Sequence, residues 1–119
     1  MTALGHHLLV EFAGCDAGSL ADLEQVTSAM LRAAEASGAT VITHSFHHFS
    51  PHGVSGAVIV AESHLAIHTW PEHGFAAVDF FSCGAVDMDR AMVLLQEAFR
   101  ATAETRLELE RGPLRKLLA

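Results

Sequence analysis

The groups in this 119-residue chain with chemistry to offer are nine histidines, two cysteines and the run Glu62-Ser63-His64-Leu65-Ala66-Ile67-His68-Thr69-Trp70. In an extended chain side chains alternate, so His64, Ala66, His68 and Trp70 share one face while Leu65 and Ile67 turn to the core. A histidine near a serine can activate it as a nucleophile. The Gly-x-Ser-x-Gly elbow of serine hydrolases is missing, so hydrolase chemistry has weak support. Cys83 stands beside Gly84 at the end of a predicted strand, where loops expose side chains. Cysteine is nevertheless more often a small buried hydrophobe than a reactive thiol, and Cys15, in a turn, reads as inert.

The histidines invite a metal reading that their spacing does not support. His6 and His7 are adjacent and point to opposite faces of a strand, whereas His44 and His48, and His64 and His68, are separated by an even number of positions, so each pair can share a face. The sequence holds no Cys-x-x-Cys, no His-Glu-x-x-His and no neighbouring carboxylate run. No metal site is expected, and most of the histidines read as surface or hydrogen-bonded groups.

The elements that must position these residues follow from periodicity and punctuation. Leu4 to Phe12 reads as a strand, closed by turn residues 13–18. Ser19 reads as the cap of a helix whose stripe is Leu20, Leu23, Val26, Met30, Leu31 and Ala34, ended by Gly38. Thr40–Phe49, Val54–Ala61, Leu65–Trp70 and Phe75–Cys83 read as four strands, the first and last pairs separated by Pro- and Gly-bearing turns. Asp87 can cap a second helix, with Met88, Met92, Leu95 and Phe99 on its apolar stripe. Thr105–Leu109 reads as a last strand, and Gly112-Pro113 ends regular structure. Strands joined by tight turns pair antiparallel, so the expected fold is α+β: a two-layer sandwich with two helices on one face of the sheet. Several strands are apolar on the other face too, which points that face toward a dimer partner.

Length and composition set the frame. One domain, 1–119, is expected, with no linker or repeat. Half the residues are hydrophobic, enough for a core and an interface patch. Seven basic against fourteen acidic residues give a net charge of −7, which argues against binding a nucleic-acid backbone. Two cysteines make no disulfide framework, Met1–Val10 shows no secretory signal, and no apolar run reaches the roughly 20 residues of a membrane span. A cytoplasmic chain with no membrane contact is expected.

Longer stretches carry a resemblance. Leu4-Gly5, Glu11-Phe12, Phe46-His47-His48-Phe49-Ser50-Pro51-His52-Gly53-Val54-Ser55-Gly56, Glu62 through Glu72, Ala76-Ala77-Val78-Asp79 and Cys83-Gly84 together closely resemble the short prokaryotic S-adenosylmethionine decarboxylases. Glu-Ser-His-Leu-x-Ile-His-Thr-Trp-Pro-Glu is long enough to make chance agreement improbable. The resemblance implies a proenzyme that cuts itself between Glu62 and Ser63 into residues 1–62 and 63–119, leaving a pyruvoyl group at position 63. Such a group answers a chemical need, because no side chain is an electron sink for the carbanion left by decarboxylation, and an imine conjugated to a carbonyl is.

By the same resemblance His68 is the proton acceptor for processing, Ser55 assists it, and Cys83 is the proton donor in turnover. Phe49 stacks on adenine, Glu72 accepts from the ribose hydroxyls, and Trp70 lines the pocket or serves as a core aromatic. The two fragments stay together and pair into a dimer with two sites. Phe75, His73 and His48 depart from the family's usual residues, but none of them is Ser63, His68 or Cys83. The expected activity is decarboxylation of S-adenosylmethionine to the aminopropyl donor of spermidine synthesis. The alternatives are ornithine or arginine as substrate, or an uncleaved, non-enzymatic partner subunit.

Overall fold

A computed structural model describes residues 3–118. Met1, Thr2 and Ala119 lie outside the described residues, and with them the ends of the 1–119 domain and the start of the Met1–Val10 stretch. Strand β1 (Gly5–Ala13) leads into α1 (Ala17–Ala21) and α2 (Leu23–Ala36). Then come β2 (Val41–His48), β3 (Val54–Val60), β4 (Ser63–Trp70), a 3-10 turn (Pro71–His73) and β5 (Phe75–Ser82). The order closes with α3 (Met88–Phe99), β6 (Ala103–Arg111) and α4 (Leu114–Leu118). The strands form one sheet in the order β2-β3-β4-β5-β1-β6, with every neighbouring pair antiparallel. The expected α+β class holds.

The helices differ from expectation at both ends of the chain. Ser19 does not cap the first long helix. It lies inside α1, where its N–H and Oγ donate to Asp16 Oδ2 at 3.0 and 2.8 Å. Asp22 caps α2 instead, accepting from the Gln25 N–H at 3.1 Å. Aspartate caps as well as serine does, and its charge adds to the attraction of a helix N-terminus. Beyond Gly112 the chain does not stop being regular either. Pro113 O accepts from the N–H groups of Lys116 and Leu117, and α4 begins where proline's missing N–H costs nothing.

The core lies between the helices and one face of the sheet. α2 contributes Val26, Ala29, Met30 and Ala33, and α3 contributes Met92, Leu95 and Phe99. Val10 and Phe12, Leu65 and Ile67, and Phe80 come up from the sheet with no exposed surface. Burial of each large side chain contributes about 1.5–3 kcal/mol. Gly56 is required by this packing, since a Cβ there would lie 2.1 Å from the Phe46 ring that covers it from β2. On the opposite face Ile59, Trp70, Leu107 and Leu109 remain 40–58% exposed. Among the described residues no helix is long and apolar enough to cross a membrane.

Candidate active site

The chemistry-bearing residues fall into two groups at opposite ends of β4. At its start, Ala61 and Glu62 make a two-residue connection, with Val60 paired to Ser63 across it. Glu62 has φ 68°. A side chain in this left-handed region crowds the following carbonyl at a cost of about 1–2 kcal/mol, which is why glycine or asparagine usually fills such turns. The strain falls on the residue that carries the Glu62–Ser63 carbonyl. Ser63 pairs with Ser82 across β5, and its Oγ accepts from the backbone N–H of Cys83 at 3.2 Å. The Cys83 thiol is free and exposed. Ser82 holds the bend that follows, donating to Gly84 O at 3.2 Å and accepting from Gly84 N–H at 3.1 Å.

At the other end Ser55 of β3 pairs with His68 of β4, and Ser55 Oγ lies 2.8 Å from His68 Nδ1. The Trp70 ring is 6.4 Å from the His68 ring and 5.5 Å from that of Phe75. Thr69 pins this end to the helix layer: its Oγ1 accepts from the Val54 N–H at 2.8 Å and donates to Leu20 O at 2.9 Å. Phe49 begins the loop that returns at Gly53, whose O accepts from the Phe49 N–H at 2.9 Å. That loop abuts β4, since a Cβ on Gly53 would lie 2.8 Å from Thr69 O and 4.0 Å from Pro71 Cδ. Glu72 follows in the exposed 3-10 turn.

The structure therefore unites Glu62, Ser63 and Cys83 at one end, and Ser55, His68, Phe49, Trp70 and Glu72 at the other. It does not bring the two sets together within one chain. Ser63 and His68 are five residues apart on one strand, about 16 Å in extended chain, and the odd spacing turns their side chains to opposite faces. A hollow of about 710 Å³ lies toward α3 and is lined by Ser82, Gly84, Asp87 and Arg106, with none of the expected substrate-binding residues. A shallower one on the helix-free face, about 300 Å³, is lined by His68, His7, Ala77 and Asp79. Cys15 stands apart, and burial pushes its thiol pKa up, keeping it protonated and unreactive.

A third group was missed by sequence reasoning. His7 of β1, His64 of β4 and Asp79 of β5 meet on the helix-free face, with Asp79 Oδ2 2.8 Å from His7 Nε2 and 2.7 Å from His64 Nε2. Their positions in sequence hold no sign of this, because only the pairing of β5 with both β1 and β4 brings them together. Two histidines and a carboxylate could ligate a cation in principle. Arg111 opposes it here, because its Nη1–H donates to His7 Nδ1 at 2.9 Å. Arginine can only donate, so the proton of a neutral His7 sits on Nε2, the atom a metal would need free.

Antiparallel sheet, α1, α2 and α3 packed on one face and a strained Glu-Ser hairpin at the sheet's end define a class of small α+β proteins. The chain belongs to the S-adenosylmethionine decarboxylase family, whose model matches residues 6–112. It is 54% identical over 113 residues to the S-adenosylmethionine decarboxylase proenzyme of Acidithiobacillus ferrooxidans, an alignment covering 94% of this chain and 85% of that one. Identity to the proenzyme of the same name from Thermotoga maritima is 48%, covering 94% of this chain and 87% of the relative. The crystal structure of the adenosylmethionine decarboxylase from Aquifex aeolicus matches with a TM-score of 0.85 at 34% identity, covering 94% of this chain and 93% of that one.

Proposed function

We propose that this protein is a proenzyme that cuts its own Glu62–Ser63 peptide and then decarboxylates S-adenosylmethionine to the aminopropyl donor of spermidine synthesis. The observation that carries the reading is the left-handed Glu62 at the exposed hairpin, in a chain whose relatives are called proenzymes. Ser63 Oγ attacks the Glu62 carbonyl, the amide becomes an ester, and the release of strain at Glu62 lowers the barrier. Elimination then frees the Glu62 carboxylate, and water replaces the nitrogen of residue 63 as ammonia leaves. The fragments would be 1–62 and 63–119.

The surroundings of residue 63 fit the pyruvoyl group expected there: it starts a strand beside Cys83, whose backbone N–H reaches Ser63 Oγ in the uncut chain at 3.2 Å and whose thiol is free and exposed. Such a group supplies a carbonyl through which the electrons left by departing carbon dioxide are delocalised. Cys83 returns a proton to the substrate carbon. His68, oriented by Ser55, takes up the proton of the attacking hydroxyl during cutting. Phe49 offers its ring to the adenine, Glu72 its carboxylate to the ribose hydroxyls, and Trp70 a wall of the pocket.

These roles need two copies of the chain. His68 and Ser55 are about 16 Å from the Ser63 of their own strand, so the complete set forms only if a second copy brings its Ser55–His68 end to this Ser63–Cys83 end. A two-fold axis crossing the strands, with contacts through the helix-free face, would serve both sites at once. The half-exposed Ile59, Trp70, Leu107 and Leu109 on that face favour the same arrangement. The test of substrate is parallel measurement of carbon dioxide release from carboxyl-labelled S-adenosylmethionine, ornithine and arginine. Release from the sulfonium substrate alone is expected, and release only from a basic amino acid overturns the assignment.

A further inference from the structure

Asp79 is the centre of a four-residue chain of hydrogen bonds that the proposed chemistry does not use. Arg111 Nη1 donates to His7 Nδ1 at 2.9 Å, and His7 Nε2 donates to Asp79 Oδ2 at 2.8 Å. His64 Nε2 donates to the same oxygen at 2.7 Å. The guanidinium also lies 5.9 Å from the centre of the Phe81 ring, against which the His64 ring is stacked at 5.9 Å. Asp79 Oδ2 thus accepts from two histidines, and His7 links it to the Arg111 guanidinium.

His64 is the residue that directly follows Ser63. While the chain is intact, residue 63 is held from both sides, by the hairpin through Glu62 and by β4 through His64. Once the 62–63 peptide is cut, the Glu62 tether is gone and β4 begins with a free end. Strand ends fray unless tied down. The side chain of His64 is then the first one in β4 fixed to a neighbouring strand by a hydrogen bond to a charged group, and such bonds are the stronger kind.

We propose that Asp79, set by His7 and Arg111, is a positioning residue that holds His64 and keeps residue 63 in register after self-cleavage. This rests on the processing read above. Its chemistry is that of a hydrogen-bond anchor: His64 needs an N–H donor at the Nε2 position, and it needs neither to change protonation state nor to hold a metal.

The test compares His64→Gln, whose amide N–H reaches the place of Nε2–H, with His64→Ala. Intact mass, kcat and KM for S-adenosylmethionine, and hydrogen exchange of the amides of residues 64–66 are followed for both and for the unaltered protein. His64→Ala should still be cut, lose ten-fold or more in kcat with KM within about three-fold, and exchange residues 64–66 faster. His64→Gln should recover most of kcat and of the protection. Asp79→Ala should match His64→Ala, as the second way of removing the same bond. Equal damage by Gln and Ala would overturn the anchor in favour of acid–base or ligand chemistry at His64, and an undamaged His64→Ala would overturn it outright. If the unaltered protein proves uncut, the processing reading fails by itself. The exchange comparison then still decides whether His64 is anchored, and unchanged protection in His64→Ala sinks the proposal.

Discussion

At Ser63 the proposed reaction makes a narrow demand: a hydroxyl must reach the carbonyl of the residue before it, and the residue must then lose its nitrogen. At Cys83 the proposed reaction demands a transferable proton beside residue 63, and in the uncut chain the Cys83 backbone N–H donates to Ser63 Oγ, a bond that ends when that oxygen leaves with the Glu62 carboxylate. The two residues should therefore separate experimentally. Ser63→Ala should abolish both cutting and turnover. Cys83→Ala should leave cutting measurable on a gel while turnover falls by about 100-fold or more, the usual worth of a positioned acid. Full turnover in Cys83→Ala would remove it from the proton-donor role. Which residues are candidates for chemistry was legible from the motif, but how they are grouped was not. The Ser63–Cys83 and Ser55–His68 pairs come from strand pairing, and the His7–Asp79–His64 cluster from the placing of β1 beside β5. Likewise the left-handed conformation of Glu62 has no signature in a glutamate.

The strands were read within one or two residues because most are β-branched or apolar runs bounded by glycine, proline or serine. α3 was equally legible, with Asp87 accepting from the Arg90 N–H at 3.0 Å as its cap. The break between α1 and α2 was not. Asp22 ends one helix in an extended conformation and caps the next, and an apolar stripe running through both hides the break. Asp22→Ala should accordingly lower stability by about 1 kcal/mol in urea unfolding, whereas Ser28→Ala on the same helix should change little. Asp16 adds a pH dependence. Hydrogen bonds from the Ser19 side chain and backbone hold its carboxyl below the ordinary value. Its contribution to folding is present above the ordinary carboxylate pKa and is lost as pH falls through the lowered folded value. Asp16→Asn keeps a capping side chain without the charge, so its unfolding midpoint should fall less steeply in acid than that of the unaltered protein. Parallel acid limbs would show that the charge of Asp16 makes no contribution.

For the whole molecule the issue is the second copy. One sheet with α1, α2 and α3 on a single face leaves the other face with half-exposed apolar side chains, the His7–Asp79–His64 patch and the Ser55–His68 half of each proposed site. A chain bearing Ser63→Ala and another bearing His68→Ala should each stay uncut, or nearly so, when made alone. Made together, mixed pairs contain one site with an intact Ser63 from one chain and an intact His68 from the other. The His68→Ala chain should then be cut, and the Ser63→Ala chain should not. Failure of the mixed pair to cut, with mixed dimers demonstrated, would require the reaction to run within one chain in a geometry quite different from this one.

The claim on which the rest depends is that residue 63 becomes a pyruvoyl group, and the intact mass of the freshly purified protein under denaturing conditions tests it most directly. The account predicts two fragments, one ending at Glu62 and the other beginning at position 63 and one ammonia lighter than its encoded sequence. A single full-length mass that persists on long incubation, or a second fragment carrying an ordinary N-terminal serine, would contradict it.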